Sequence, residues 1–173
     1  MIPEHHPLSP DEAHKIAGCS MRLTKYSDID DYPTIDDLFG EADCVLILYE
    51  TRQNSGHWCC IINKENVIEF FDSYGLIPDN ELLFVNIKFR EENDMLIPHL
   101  TKLFLKTEKT IEYNDKRLQK MADNINTCGY WCGMRMRYKD ISCEEFIKMF
   151  KGGPRDQKDT LVIEMSNKFL TNV

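Results

Sequence analysis

Two β-rich segments, His57–Ile62 (HWCCII) and Val67–Phe71 (VIEFF), stand only Asn63-Lys64-Glu65-Asn66 apart, and this spacing restricts the fold more than any other feature of the chain. A connection that short cannot cross over a sheet, so the two strands are antiparallel neighbours joined by a tight turn. The outer ends of such a hairpin come together in space. Here they are His57 and Asp72, so a contact between imidazole and carboxylate is predicted from spacing alone.

The rest of the chain supplies elements to pack around that hairpin. Ser9-Pro10-Asp11-Glu12 combines a cap, a first-turn proline and a capping-box glutamate, which predicts a helix from about Pro10 to Ala17, stopped by Gly18. A second short helix follows Thr34, and the apolar run Cys44–Tyr49 reads as a buried strand. A turn and a mixed segment to Asn93 lead to a helix over Pro98–Leu105 and a strand over Thr110–Tyr113. Thr127 is placed to cap a helix from Cys128 to about Tyr138. The capping box at Ser142 opens another to about Phe150, Gly152-Gly153-Pro154 breaks it, and an amphipathic helix spans roughly Asp159 to Leu170. The order predicts an α+β fold: a small central sheet whose hairpin carries His and Asp, packed against a central helix with Cys at its N-terminus. A length of 173 residues with 42% hydrophobic content suits a single domain over 1–173.

A formal net charge of -8 argues against a general nucleic-acid binder, which presents a basic face to phosphates. Lys116, Arg117, Lys120, Arg135, Arg137 and Lys139 read as solvated helix faces. Seven cysteines, an odd number without small-scaffold spacing, suit a reducing compartment, cytosolic or nuclear, rather than secretion. The opening MIPEHHPLSPDEAHK lacks a signal-peptide pattern, and no apolar run approaches the roughly 18 residues of a membrane span.

Thiol chemistry needs a lowered pKa, supplied by a helix N-terminus or an imidazolium. Cys128, directly after Thr127, has the first, and the N–H groups of its own first turn form a ready oxyanion site. His57, beside Gly56, is expected to be partly exposed, as a base must be, and Asp72 to fix its tautomer. Gly129 and Gly133 clear one helix face, which would let the helix approach the sheet carrying His57. Cys132 reads as packing, Cys59 and Cys60 must point to opposite faces of a strand, and His5, His6, His14 and Cys19 form a loose N-terminal set. No metal site has the expected ligand spacing, and no cofactor is implied.

GHWCCIINKENVIEFFDSYG, followed by Gln119 and then CGYWC, resembles the adenain and SUMO-protease group of cysteine proteases (clan CE), in which His-Trp, a hairpin, an acid, a Gln and Cys-Gly occur in this order. The match covers about Cys44 to Phe150; papain-like enzymes place cysteine before histidine, so their pattern does not account for it. The resemblance implies His57 as base, Asp72 as its orienter, Cys128 as nucleophile, Gln119 as oxyanion donor and Trp58 as lining of a narrow substrate cleft. The hairpin is a little shorter than the family's. The stretch from Gln119 to Cys128 is longer, which brings in Asn124 and Asn126 as alternative donors.

The compact size is most like the viral branch of the group that matures capsid proteins. It implies an endopeptidase, monomeric and without membrane attachment, acting in host cytoplasm or nucleus or packaged in a virion. Its substrates would be proteins with an extended, glycine-containing cleavage segment. The alternatives are an isopeptidase removing a ubiquitin-like modifier, a non-catalytic peptide-binding module, and a thiol oxidoreductase using Cys128 and Cys132. The chain's own Gly152-Gly153-Pro154 is better explained as a helix stop than as a self-cleavage site.

Overall fold

The computed structural model describes residues 6–152 and 157–171. A five-stranded sheet runs in sequence order: β1 (Met21–Lys25), β2 (Cys44–Arg52), β3 (Ser55–Lys64), β4 (Val67–Phe71) and β5 (Thr110–Tyr113). β2, β3 and β4 form antiparallel pairs, while β1 and β5 join the two edges in parallel. The expected hairpin is present with a tighter turn than predicted. Lys64 still pairs with Val67, so only Glu65 and Asn66 turn the chain, and Glu65 adopts a φ of 50° to do so.

Helices cover both faces of the sheet, which is why β2 is apolar from Cys44 to Tyr49 instead of alternating. On one face α1 (Pro10–Ala17), α5 (Cys128–Arg137), α6 (Cys143–Lys148) and α7 (Lys158–Leu170) pack over Cys44, Leu46, Cys60, Ile62 and Phe71. On the other, a 3₁₀ turn (Tyr26–Asp31), α2 (Ile35–Phe39), a second 3₁₀ turn (Asn80–Phe84) and α4 (His99–Leu105) cover Val45, Ile47, Tyr49, Cys59, Ile61, Ile68 and Phe70. A short α3 (Ile87–Glu92) links the last two. The capping boxes at Ser9 and Ser142 form as predicted, and Gly18 ends α1 with a φ of 60°.

Three local expectations are corrected. Thr127 precedes α5 but makes no side-chain cap; its hydroxyl donates to Asp159 instead. Gly133 faces α1 rather than the sheet, for a Cβ there would sit 2.9 Å from Ile16 Cγ2, whereas Gly129 lies between Leu8, 3.0 Å from such a Cβ, and the Trp58 indole of β3 at 3.8 Å. Arg135 and Arg137 are not solvated: Arg135 is fully buried, and Arg137 lies over the Phe169 ring at 3.8 Å. β1 and its following 3₁₀ turn were not foreseen.

Candidate active site

The site occupies the place where β4 stops short. β4 pairs with β3 only from Cys60 onward, whereas β3 continues back to Ser55 against β2. Beside residues 57–59 the sheet is therefore open, and the chain after Phe71 turns away through Asp72-Ser73-Tyr74-Gly75, closed by a hydrogen bond from Gly75 N to Asp72 O. Extending the register would put Asp72 opposite Cys59, one step diagonal from His57 and on its face of the sheet. A side chain as long as histidine spans such a diagonal, and His57 Nε2 lies 2.8 Å from Asp72 Oδ1.

The imidazole is held from every side. Asp72 Oδ1 also accepts from Tyr74 N at 2.8 Å, which locks the carboxylate, and the Tyr74 ring stacks on His57 with centroids 4.4 Å apart. Cys128 lines the same cavity as His57, close enough for its thiol to favour the imidazolium. His57 is thus 8% exposed, not the half-open residue expected beside a flexible glycine. Gly56 is itself clamped, because a Cβ there would lie 1.9 Å from Tyr49 O. Burial disfavours the imidazolium, but the bond to Asp72 and the nearby Cys128 thiol outweigh it and raise the His57 pKa well above its ordinary value.

Cys128 reaches His57 around the end of the sheet. His57 shares its face with Cys59 and Ile61, and α5 packs on the opposite face. Thr127 and the first turn of α5 are tied to α7 by Asp159, whose Oδ1 accepts from Thr127 Oγ1 and from Trp131 Nε1 at 2.9 Å and whose Oδ2 accepts from Lys120 N at 2.8 Å. A thiol at a helix N-terminus, beside an imidazole that a carboxylate holds, is the arrangement that nucleophilic thiol chemistry requires.

Gln119 joins this group. Its Oε1 accepts from Ser73 Oγ at 2.6 Å and its Nε2 donates to Ile125 O at 3.1 Å, so the amide is fixed. With His57, Tyr74 and Cys128 it lines a cavity of about 510 Å³. Asn126 lines this cavity too, whereas Asn124 does not. Trp58 stands apart: it points to the other face of β3, with its indole Cδ1 near the Cβ position of Gly129, outside the cavity lining. A broader groove of about 1260 Å³ adjoins the cavity through Tyr74, Gln119 and Met121 and carries Lys116, Arg117 and Lys120.

Glu81 was missed by sequence reasoning. It is 4% exposed and its Oε1 lies 3.6 Å from His57 Nε2. Nothing marks it in the string NELLF; the nearest signal is the preceding Pro78-Asp79, where the chain must turn.

Cys132 is buried, its thiol donating to Trp58 O at 3.4 Å, and burial beside Cys60 pushes its pKa up, which suits packing rather than chemistry. Cys59 and Cys60 do point to opposite faces, and all seven cysteines are free. Cys59 Sγ comes within 4.8 Å of ligand atoms of His57 and Asp72, but the direct bond between those two uses the atoms a metal would need. His6 and His14 are exposed, and His5, Gly153 and Pro154 lie outside the described residues. Among the described residues no helix is long and apolar enough to cross a membrane.

No protein-family model matches the chain. Protein V9 of Sputnik virophage is 41% identical over 127 residues, 73% of each chain. Among solved structures, ChlaDub1 from Chlamydia trachomatis superposes with a TM-score of 0.50 at 9% identity, covering 100% of this chain and 95% of its own. The ASFV pS273R protease gives a TM-score of 0.47 at 14% identity, covering 93% and 69%.

Proposed function

The chain belongs to the family of Sputnik virophage protein V9, and from that premise and its SUMO-protease-like fold we propose that it is a cysteine endopeptidase acting through Cys128, His57 and Asp72. The observation that carries this reading is one imidazole bonded to a buried carboxylate at 2.8 Å in a cavity that it shares with a thiol opening a helix.

His57 takes the Cys128 proton, and the thiolate adds to the scissile carbonyl carbon. The oxyanion is met by the Cys128 N–H and by the amide of Gln119, which lines the cavity and must release Ile125 O or Tyr74 to donate there. The tetrahedral species collapses as the C–N bond breaks and His57 returns its proton to the leaving amine. Water, deprotonated by His57, then cleaves the thioester and regenerates the thiol. Asp72 holds the ring and supports its cation throughout.

The substrates are structural or capsid precursor proteins of a virus, in keeping with the virophage relative, presented as extended segments with glycine on the acyl side. A residue without Cβ brings its backbone closest to Cys128. Peptide-library profiling of the wild type against Cys128→Ala tests activity and preference together. Turnover by both proteins, or by neither, would overturn the proposal, and labelling by an electrophile built on a ubiquitin-like C-terminus would reassign the enzyme as an isopeptidase.

A further inference from the structure

Glu81 occupies a position that a triad does not require. Its segment is pinned from beneath: Asp79, in a left-handed conformation with φ 68°, accepts from Thr101 N at 2.7 Å and from the Tyr49 hydroxyl at 3.3 Å. That anchor delivers Glu81 to the same ring nitrogen that Asp72 holds. Three observations are hard to reconcile with a passive role: Glu81 has no basic ion-pair partner but His57 among the described residues, Glu81 Oε1 is buried without a hydrogen-bond donor, and so is Asp72 Oδ2.

Two carboxylates on one imidazole, each with a bare buried oxygen, are a costly arrangement if both are ionised. One proton shared between them removes the repulsion and gives an oxygen its missing donor, and both carboxyls converge on one atom, His57 Nε2, at 2.8 and 3.6 Å. We infer that Glu81 is a positioning residue of the peptidase site, a second carboxyl that steadies Asp72 while protonated and supports the His57 cation once ionised. This rests on the peptidase reading above for its meaning, though not for its measurement.

The groups facing Glu81 and His57 are Asp72 and Tyr74 from the turn after β4, Cys59 from β3 and Cys128 from α5, with Arg52 of β2 and Asp123 at the cavity wall. Burial, with help from Asp72 and against the pull of His57, pushes the Glu81 carboxyl up to about 8. Below that pH it is a neutral donor. Above it, it adds a negative charge beside the ring, so the imidazolium survives to higher pH than Asp72 alone would permit.

Glu81→Gln keeps the shape and a donor but cannot ionise. The alkaline limb of its kcat/KM profile is expected about one pH unit or more lower than in the wild type, the order of shift a neighbouring charge produces, while the acid limb stays in place. The independent measurement is the titration of the His57 ring nitrogens by NMR in Cys128→Ala and in the Cys128→Ala, Glu81→Gln double variant, which needs no turnover. The single variant should titrate in two coupled steps and the double in one, at lower pH. Matching curves in the two, or a single step in Cys128→Ala should the double variant fail to fold, would overturn the inference. Absence of turnover in every protein with the two-step titration intact would instead count against the peptidase reading alone.

Discussion

Two buried charge clusters lie only a few residues apart along the same hairpin, and they are built on opposite plans. Glu69, in the middle of β4, receives Arg135 Nε at 2.6 Å, a second guanidinium nitrogen at 3.0 Å and Lys64 Nζ at 2.9 Å. Arg135 spends its remaining donors on Tyr138 O and Ile141 O, so neither partner carries an unmet polar atom. Past the strand's end, Asp72, Glu81 and His57 are as deeply buried yet leave two carboxylate oxygens without donors. A satisfied cluster fixes where α5 docks on the sheet. An unsatisfied one holds charge in readiness, and natural proteins tolerate such a deficit chiefly where it is used.

The contrast predicts that changes in the second cluster cost activity and changes in the first cost stability. The largest effect belongs to Cys128→Ala, which is expected to lower turnover by about 10⁴-fold or more with no loss of thermal stability, because a triad acts as a unit. Cys132→Ser retains the donor to Trp58 O and should stay active; if it is as inactive as Cys128→Ala, thiol redox chemistry becomes the better account. Asp72→Ala follows, with a loss on the order of 10²–10⁴-fold, the usual worth of acid–base assistance. Asp72→Asn should fall between it and the wild type, since an amide orients the ring but does not support its cation. Equal activity in both variants would remove Asp72 from the site.

Glu69→Ala sharpens the comparison from the other side. It strands Arg135 and should cost roughly 3–5 kcal/mol of folding free energy, measured by urea denaturation, while the folded fraction keeps its kcat. Replacing both partners by apolar residues should recover much of the loss. The cluster also fixes a pH dependence. Burial opposes the Glu69 charge, but Arg135 and Lys64 more than compensate and hold its pKa below the usual 4.5. Its stabilisation is complete above that unfolded-chain value and is lost as pH falls through the lower folded one. Glu69→Gln should flatten that acid slope; an unchanged slope would mean the acid sensitivity comes from elsewhere.

The smallest activity effect expected here is that of Gln119→Ala, about 10²-fold if the amide serves the oxyanion. Because Gln119 also bonds Ser73 and Ile125, kcat and the thermal midpoint need to be read together. A larger loss in Asn126→Ala would transfer the role to that residue, which shares the cavity.

How much of this was legible in the sequence depends on how local each determinant is. The hairpin and the capped helices are written in contiguous residues and could be read. β1 could not: it is a short edge strand, MRLTK, paired on one side and half covered, with no apolar run to betray it. Glu81 and Asp159 look like surface acids because their burial is decided by where distant segments settle. Arg135 left a signal that went unused. An acid in the middle of the apolar strand VIEFF demands a cation, and the helix downstream offered one. The neighbour of Gly133 was hidden for a similar reason, since a glycine on a helix face announces a close neighbour without naming it.

The tie from Asp159 to Thr127, Trp131 and Lys120 has a consequence for the order of events in the cell. A ribosome delivers His57 and Asp72 first, Cys128 much later and α7 later still, yet it is α7 that braces the residue before Cys128. α1, the first helix to emerge, meanwhile waits for Gly129 and Gly133 before its own apolar face is covered. A nascent chain therefore carries all three side chains for some time without the bracing that aligns them. The alignment of the three side chains is thus the last thing that folding supplies, and it comes only once α7 has docked.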